Sequence, residues 1–173
     1  PRFNMRRVVR DYAEKLYRPA AEMGQRLLAD GARPAMELAS WKRRVRERWE
    51  GVQILDVRQE PRTAAADAPL AMHARVQLAG LDPSDLCVEF KARRLLPDSG
   101  FELAPLCSFG HGTPPGHWLA RFVPTGDIAD DGTIDFTVTA TPPGMGQYQL
   151  EVRVYPWHPL LSHPLEMGLM KTS

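Results

Sequence analysis

At Val52 the spacing of apolar residues changes from three and four to two, and this switch constrains the fold more than any motif in the chain. Before it, Met5, Val8, Val9, Tyr12, Ala13, Leu16 and Tyr17 fall on one side of a helical pattern. Arg6, Arg7, Arg10, Asp11, Glu14 and Lys15 fill the other. After it, apolar residues alternate with polar ones in short runs separated by turn formers, the mark of strands with one buried and one wet face. A helical segment followed by an antiparallel β domain is the expected architecture, of class α+β.

The helical part divides into two to three helices. Pro19 either kinks the first or restarts it, because proline costs about 3 kcal/mol in a helix interior but is tolerated in a first turn. A second stretch covers Ala20 to Ala29 and stops at Asp30-Gly31, as glycine ends helices. A third starts at Pro34, with Leu38, Trp41, Val45 and Trp49 on its apolar stripe and Gly51 just beyond.

Alternation marks the strands. It runs through Met72, Ala74, Val76 and Leu78; Leu86, Val88 and Phe90; Trp118, Ala120 and Phe122; Ile134, Phe136, Val138 and Ala140; and Tyr148, Leu150, Val152 and Val154. "VQILDV" after residue 51 and a weaker "FELAPLC" at 101–107 bring the count to about seven. Asp82-Pro83-Ser84-Asp85, Asp98-Ser99-Gly100, Asp130-Asp131-Gly132 and Pro142-Pro143-Gly144 supply turns. The Ala- and Pro-rich segment 59–70 reads as a loop. About seven antiparallel strands at this spacing predict an immunoglobulin/fibronectin-like β-sandwich. Tyr148, two residues after Gly146 and two before the inward Leu150, has the placement of a tyrosine corner or of a plain strand tyrosine. The expected domains are a helical segment, 1–50, and a sandwich, 51–173.

Composition narrows the function. With 22 basic and 21 acidic side chains the net charge is +1, which favours neither nucleic acid nor membrane as partner. Cys87 and Cys107 both lie in apolar stretches and read as free thiols, which points to a reducing cytoplasm. No apolar run approaches the roughly 20 residues of a membrane span.

No catalytic arrangement emerges from the residues. "WKRRVRERW" sets Lys42, Arg43, Arg44, Arg46 and Arg48 between Trp41 and Trp49, a pattern that could grip a nucleic acid. On a helix the tryptophans share one face with Val45, so a solvated basic face is the preferred reading. His111 and His117, and His158 and His163, bracket Pro-containing loops without the converging ligands a metal requires, and read as hydrogen-bonded loop histidines. Asp130-Asp131-Gly132 is a turn rather than an acid/base pair. Phosphate loops and nucleophile elbows are absent from the sequence. No catalytic, cofactor-binding or metal residue is assigned.

"RFNMRRVVRDYAEKLYRPA" followed by "LASWKRRVRERWEGVQI" resembles the C-terminal end of short bacterial α-glucan (glycogen/maltodextrin) phosphorylases. The matching residues are Tyr12, Tyr17, Pro19 and Ala20, then Trp41, Lys42, Val45 and Trp49. The closing "VRVYPWHPLLSHPLEMGLM" is similar to that family's tail at Arg153, Pro156, His158, Pro159, Pro164 and Gly168. The resemblance implies a parent enzyme that uses pyridoxal phosphate and inorganic phosphate to release glucose 1-phosphate from an α-1,4-glucan. It equally implies a chain that is not catalytic by itself, because none of Lys15, Lys42, Lys91 and Lys171 stands in the family's cofactor-lysine context.

On this reading the helix begins abruptly because its continuation belongs to the rest of the parent chain, against which residues 1 to about 50 pack. The sandwich is then a structural or assembly appendage that also contacts glucan. Trp118, Tyr155 and Trp157 are the candidates for stacking on sugar rings, each equally placed to pack in a core or at a domain junction. The exposed helical face would make the chain self-associate. The alternative is a protein-interaction module using the sandwich edge and the amphipathic helices.

Overall fold

The computed structural model describes residues 5–60, 68–95, 117–142 and 146–173. Helix α1 (Met5–Tyr12) passes through a π-helical turn (Ala13–Tyr17) into α2 (Arg18–Arg48). The widened turn has a local cause. Pro19 has no N–H and its ring crowds the carbonyl one turn back, and a π turn makes room for it. The Arg18 N–H accordingly reaches back to the Ala13 carbonyl.

The expected two to three separate helices are therefore one N-terminal helical arm. Its second interruption falls at the anticipated Asp30-Gly31 but is a kink rather than a loop. Ala29 is extended, Asp30, Gly31 and Ala32 have φ of 50°, 68° and 65°, and the helix resumes with Pro34 in its new first turn. A left-handed turn of three residues redirects the chain without opening it.

Among the described residues, eight strands form two four-stranded antiparallel sheets. Sheet A has the order β1 (Gln53–Glu60), β2 (Leu70–Gln77), β6 (Thr133–Ala140), β5 (Val123–Thr125). Sheet B has the order β4 (His117–Arg121), β3 (Leu86–Leu95), β7 (Gln147–Pro156), β8 (Lys171–Thr172). The single strand expected over 117–123 is two strands in different sheets. Phe122 is the switch point, where its N–H still bonds the Val88 carbonyl of sheet B while its ring is buried against Phe90. A two-residue β8 is too short to show any alternation. The strand expected at 101–107 and the turn at 98–100 lie outside the described residues.

The turn chemistry at 82–85 and 130–132 matches the sequence, while the turn expected at 142–144 extends outside the described residues. Asp82 and Asp85 form a reciprocal capping box around a 3₁₀ turn (Pro83–Asp85). The Asp131 carboxylate accepts from the Thr133 N–H and hydroxyl beside Gly132, whose φ is 77°.

One apolar core joins both sheets and the end of the arm. Met72, Ala74, Val76, Ile134, Phe136 and Val138 face it from sheet A, and Val88, Phe90, Ala92, Val152 and Val154 from sheet B. Leu38, Trp41, Val45 and Trp49 join the same cluster, Val45 with no exposed surface. The arm thus divides along its length, with Leu27, just before the kink, already packed against the core. Its last four turns are part of the core, whereas Met5, Val9, Tyr12, Leu16 and Tyr17 are each more than half exposed.

Candidate functional site

Among the described residues, a densely bonded polar region is the joint between α2 and the sandwich. Asp85, 8% exposed at the entrance to β3, is its centre. Its Oδ1 accepts the Trp41 indole N–H at 2.7 Å, and the Arg44 guanidinium donates to both oxygens at 3.2 and 3.3 Å. The Asp82 N–H occupies the remaining lone pair, and the Asp85 carbonyl accepts the Trp157 N–H. A carboxylate so enclosed is tolerable because each acceptor position is filled, one by a cation.

Around it, His158 lies 4.9 Å from the Trp41 ring, Lys42 pairs with Glu166, Arg48 donates to the Gly80 carbonyl, and the Lys171 ammonium donates to the Glu50 carbonyl. Burial pulls the His158 pKa below its usual value; the nearby Asp85 charge opposes this, while Arg44 and Lys42 add to it. Burial alone would raise Glu166, but hydrogen bonds from Lys42 and from the Ser162 N–H and hydroxyl, with the Lys42 charge, bring it to about 2. Arg43, Arg44, Arg46 and Arg48 are exposed, as a solvated basic face implies, while Lys42, Arg44 and Arg48 also reach Glu166, Asp85 and the Gly80 carbonyl. The spacing of four between Arg44 and Arg48 is the signal that could have marked one shared side.

The aromatic candidates do not form one platform. Trp118 is on the inner side of sheet B, edge-on to Phe90 at 4.7 Å and to Tyr148 at 6.3 Å. Tyr155 and Trp157 share the opposite, outer face. Tyr155 is buried, its hydroxyl donating to Glu89, which also pairs with Arg153. Burial first, then hydrogen bonding with Cys87, drives the Tyr155 pKa upward, and burial likewise raises that of Cys87. Trp157 is half-buried under the Arg121 guanidinium, 4.9 Å from its ring centre.

The outer face of sheet A carries an open groove of about 360 Å³ lined by Asp56, Arg58, His73, Arg75, Thr125, Asp135 and Thr137. Strand register sets these in two rows: Asp56, Arg75, Asp135 and Thr125, then Arg58, His73 and Thr137. Arg75 and Asp135 form a bidentate pair at 2.8 and 2.9 Å. The Arg75 hydrogen bond holds Asp135 below the usual carboxylate range.

Comparison with known proteins ties this architecture to one group. Residues 119–173, which run from β4 to the end of β8, match the glycogen phosphorylase C-terminal domain. The chain resembles the C-terminal region of glycogen phosphorylases. It is 34% identical over 172 residues to glycogen phosphorylases of Mycobacterium bovis and Mycobacterium tuberculosis, and 28% identical over 173 residues to a maltodextrin phosphorylase of Thermococcus litoralis. These alignments take in 98–99% of the chain but 18% of each relative. No solved structure matches it.

The matched tail includes His158 and Glu166 at the joint as well as Thr125, Asp135 and Thr137 in the groove. His158 and His163 use Nδ1 to accept the Leu160 and Leu165 N–H groups, as loop histidines do. Among the described residues no cluster of His, Cys, Asp and Glu is arranged to hold a metal ion, and no helix is long and apolar enough to cross a membrane. The lysines do not fit pyridoxal phosphate. Lys42 and Lys171 are committed to the joint, Lys15 is on the exposed arm, Lys91 is on the outer face of sheet B, and none lines the groove.

Proposed function

We propose that this chain is the non-catalytic C-terminal part of an α-glucan phosphorylase, with the helical segment 1–50 joining the catalytic remainder to an assembly domain, residues 51–173. The observation that carries this reading is the asymmetry of the arm. Leu38, Trp41 and Val45 are built into the sandwich core, whereas Met5, Val9, Tyr12 and Leu16 form an i, i+4, i+7, i+11 stripe in which each residue is more than half exposed. An amphipathic helix keeps such a stripe where another body covers it. The parent would release glucose 1-phosphate using pyridoxal phosphate held by residues outside this chain, in the cytoplasm. The sandwich is of immunoglobulin/fibronectin type on this reading: β1-β2-β6-β5 and β4-β3-β7-β8 follow the order A-B-E-D and C′-C-F-G. α-1,4-Glucan contact belongs to the sandwich; of the candidate aromatics Trp118 and Trp157 keep partial exposure, Trp157 on the outer face of sheet B.

The test uses the full gene product and this chain in parallel. The full product should release glucose 1-phosphate from maltoheptaose and phosphate. The chain alone should self-associate in analytical ultracentrifugation and become monomeric as the Val9→Asp, Leu16→Asp variant. The same pair in the full product should lower soluble yield and activity together. A full product without phosphorolysis, or one indifferent to both substitutions, contradicts the reading.

A further inference from the structure

We propose that the groove on the outer face of sheet A binds a neutral oligosaccharide, taken to be an α-1,4-glucan on the strength of the function proposed above. Most solvated sheet faces carry cross-strand ion pairs without being concave. This one is concave for a reason visible in β1, where a bulge between Ile54 and Asp56 shifts the register at Leu55. Bulges bend the strand and re-aim the side chains that follow, here Asp56 and Arg58 on the groove wall.

The chemistry of the lining selects the ligand class. The two carboxylates and two guanidiniums cancel in charge, so neither a phosphorylated nor a cationic ligand is favoured. What remains is a close alternation of acceptors and donors held in fixed geometry. Arg75 commits Nε and one Nη to Asp135, and Arg58 commits Nε to Asp56, which leaves further donors on both guanidinium forks. Thr137 and His73 add groups able to donate or accept, and Thr125, whose hydroxyl donates to the Asp135 carbonyl, adds an acceptor. Adjacent hydroxyls of a sugar ring both donate and accept, and so suit paired carboxylate and guanidinium groups better than an ion does. Val123, directly across from Thr137 and 63% exposed, supplies an apolar flank for the C–H face of a ring. An open groove is also compatible with a polymer, which must enter and leave along its length.

The site is read by amide and side-chain NMR shifts of this chain on titration with millimolar maltoheptaose. Shifts should centre on His73, Thr125, Asp135 and Thr137. Arg58→Ala and Thr137→Val, which leave the Arg75–Asp135 pair intact, should together weaken binding about tenfold, the loss expected for one hydrogen bond to a charged group. Arg93→Ala on sheet B should leave it unchanged. Absence of shifts, shifts centred on Trp157 and Tyr155, or groove shifts from cellohexaose but not from maltoheptaose each overturn the proposal. Phosphorolysis by the full product is read separately. Normal phosphorolysis without groove shifts rejects this site alone, and groove shifts without phosphorolysis reject the enzymatic reading.

Discussion

Replacing Asp85 by alanine should uncouple the arm from the sandwich. Trp41 is 5% exposed, so its indole N–H loses a partner that water cannot replace, at a cost of about 1–3 kcal/mol. The Asp82 N–H loses its half of the capping box, about 0.5–1 kcal/mol. The Arg44 side chain is 48% exposed and returns to solvent, so its pairing adds no more than about 0.5 kcal/mol. The expected loss is roughly 3 kcal/mol, or about 6–12 °C in Tm for a chain of this size. Asp85→Asn retains an acceptor for Trp41 and should cost only about 1 kcal/mol. Urea unfolding followed by tryptophan fluorescence reads both variants. Hydrogen exchange over 38–50 should show protection in that segment falling first. An Asp85→Ala loss under about 0.5 kcal/mol, or an asparagine variant as damaged as the alanine, refutes the hydrogen-bonded joint as the source of the coupling.

The joint should also fail in acid. Glu166 has a folded pKa near 2 against an ordinary 4.5, so the unfolded chain binds more protons and stability falls as pH drops from about 4.5 towards 2. His158 is likewise depressed, so its contribution is lost as pH falls below about 6.5. The urea midpoint should decline through both windows, and Lys42→Met should flatten the lower one. Phe90→Ala should cost about 4 kcal/mol, since the ring is fully buried and meets both Trp118 and Phe122 edge-on; a loss below about 1.5 kcal/mol in urea unfolding would argue against that packing. Ala32→Gly should raise stability by about 0.5 kcal/mol, because alanine at φ 65° is strained; a destabilised variant in thermal melts would place the kink elsewhere.

Much of the scaffold is legible in the sequence because local periodicity reports burial directly. The alternating residues of the 70–78, 86–90, 133–140 and 148–154 runs are those found in the core or packed against it. The same holds for Leu38, Trp41, Val45 and Trp49. Asp82 and Asp85 announce their turn through side-chain hydrogen bonds within four residues, and Asp30-Gly31 marks a break because its backbone preference is local. The helix count differed because the response to Pro19 depends on how the turn before it relaxes. The split at Phe122 was hidden because alternation continues unbroken while the hydrogen-bonding partner changes from sheet B to sheet A.

The candidate sites were less legible, since each is assembled across long separations. Asp85 meets Trp41 and Arg44 over 44 and 41 residues, and Lys42 meets Glu166 over 124. The groove depends on the register of four strands and on one bulge. Tyr155 and Trp157 could be named from sequence as aromatics of a strand end, but not that Glu89 and Arg121 would occupy them.

What the sequence by itself determined, then, is the class of each segment and which face of it is apolar, since both follow from interactions within a few residues. Which polar groups meet, whether a cation faces water or clamps a carboxylate, and where a sheet becomes concave were decided by the tertiary structure. Those properties belong to pairs of residues that only the folded backbone brings within hydrogen-bonding distance.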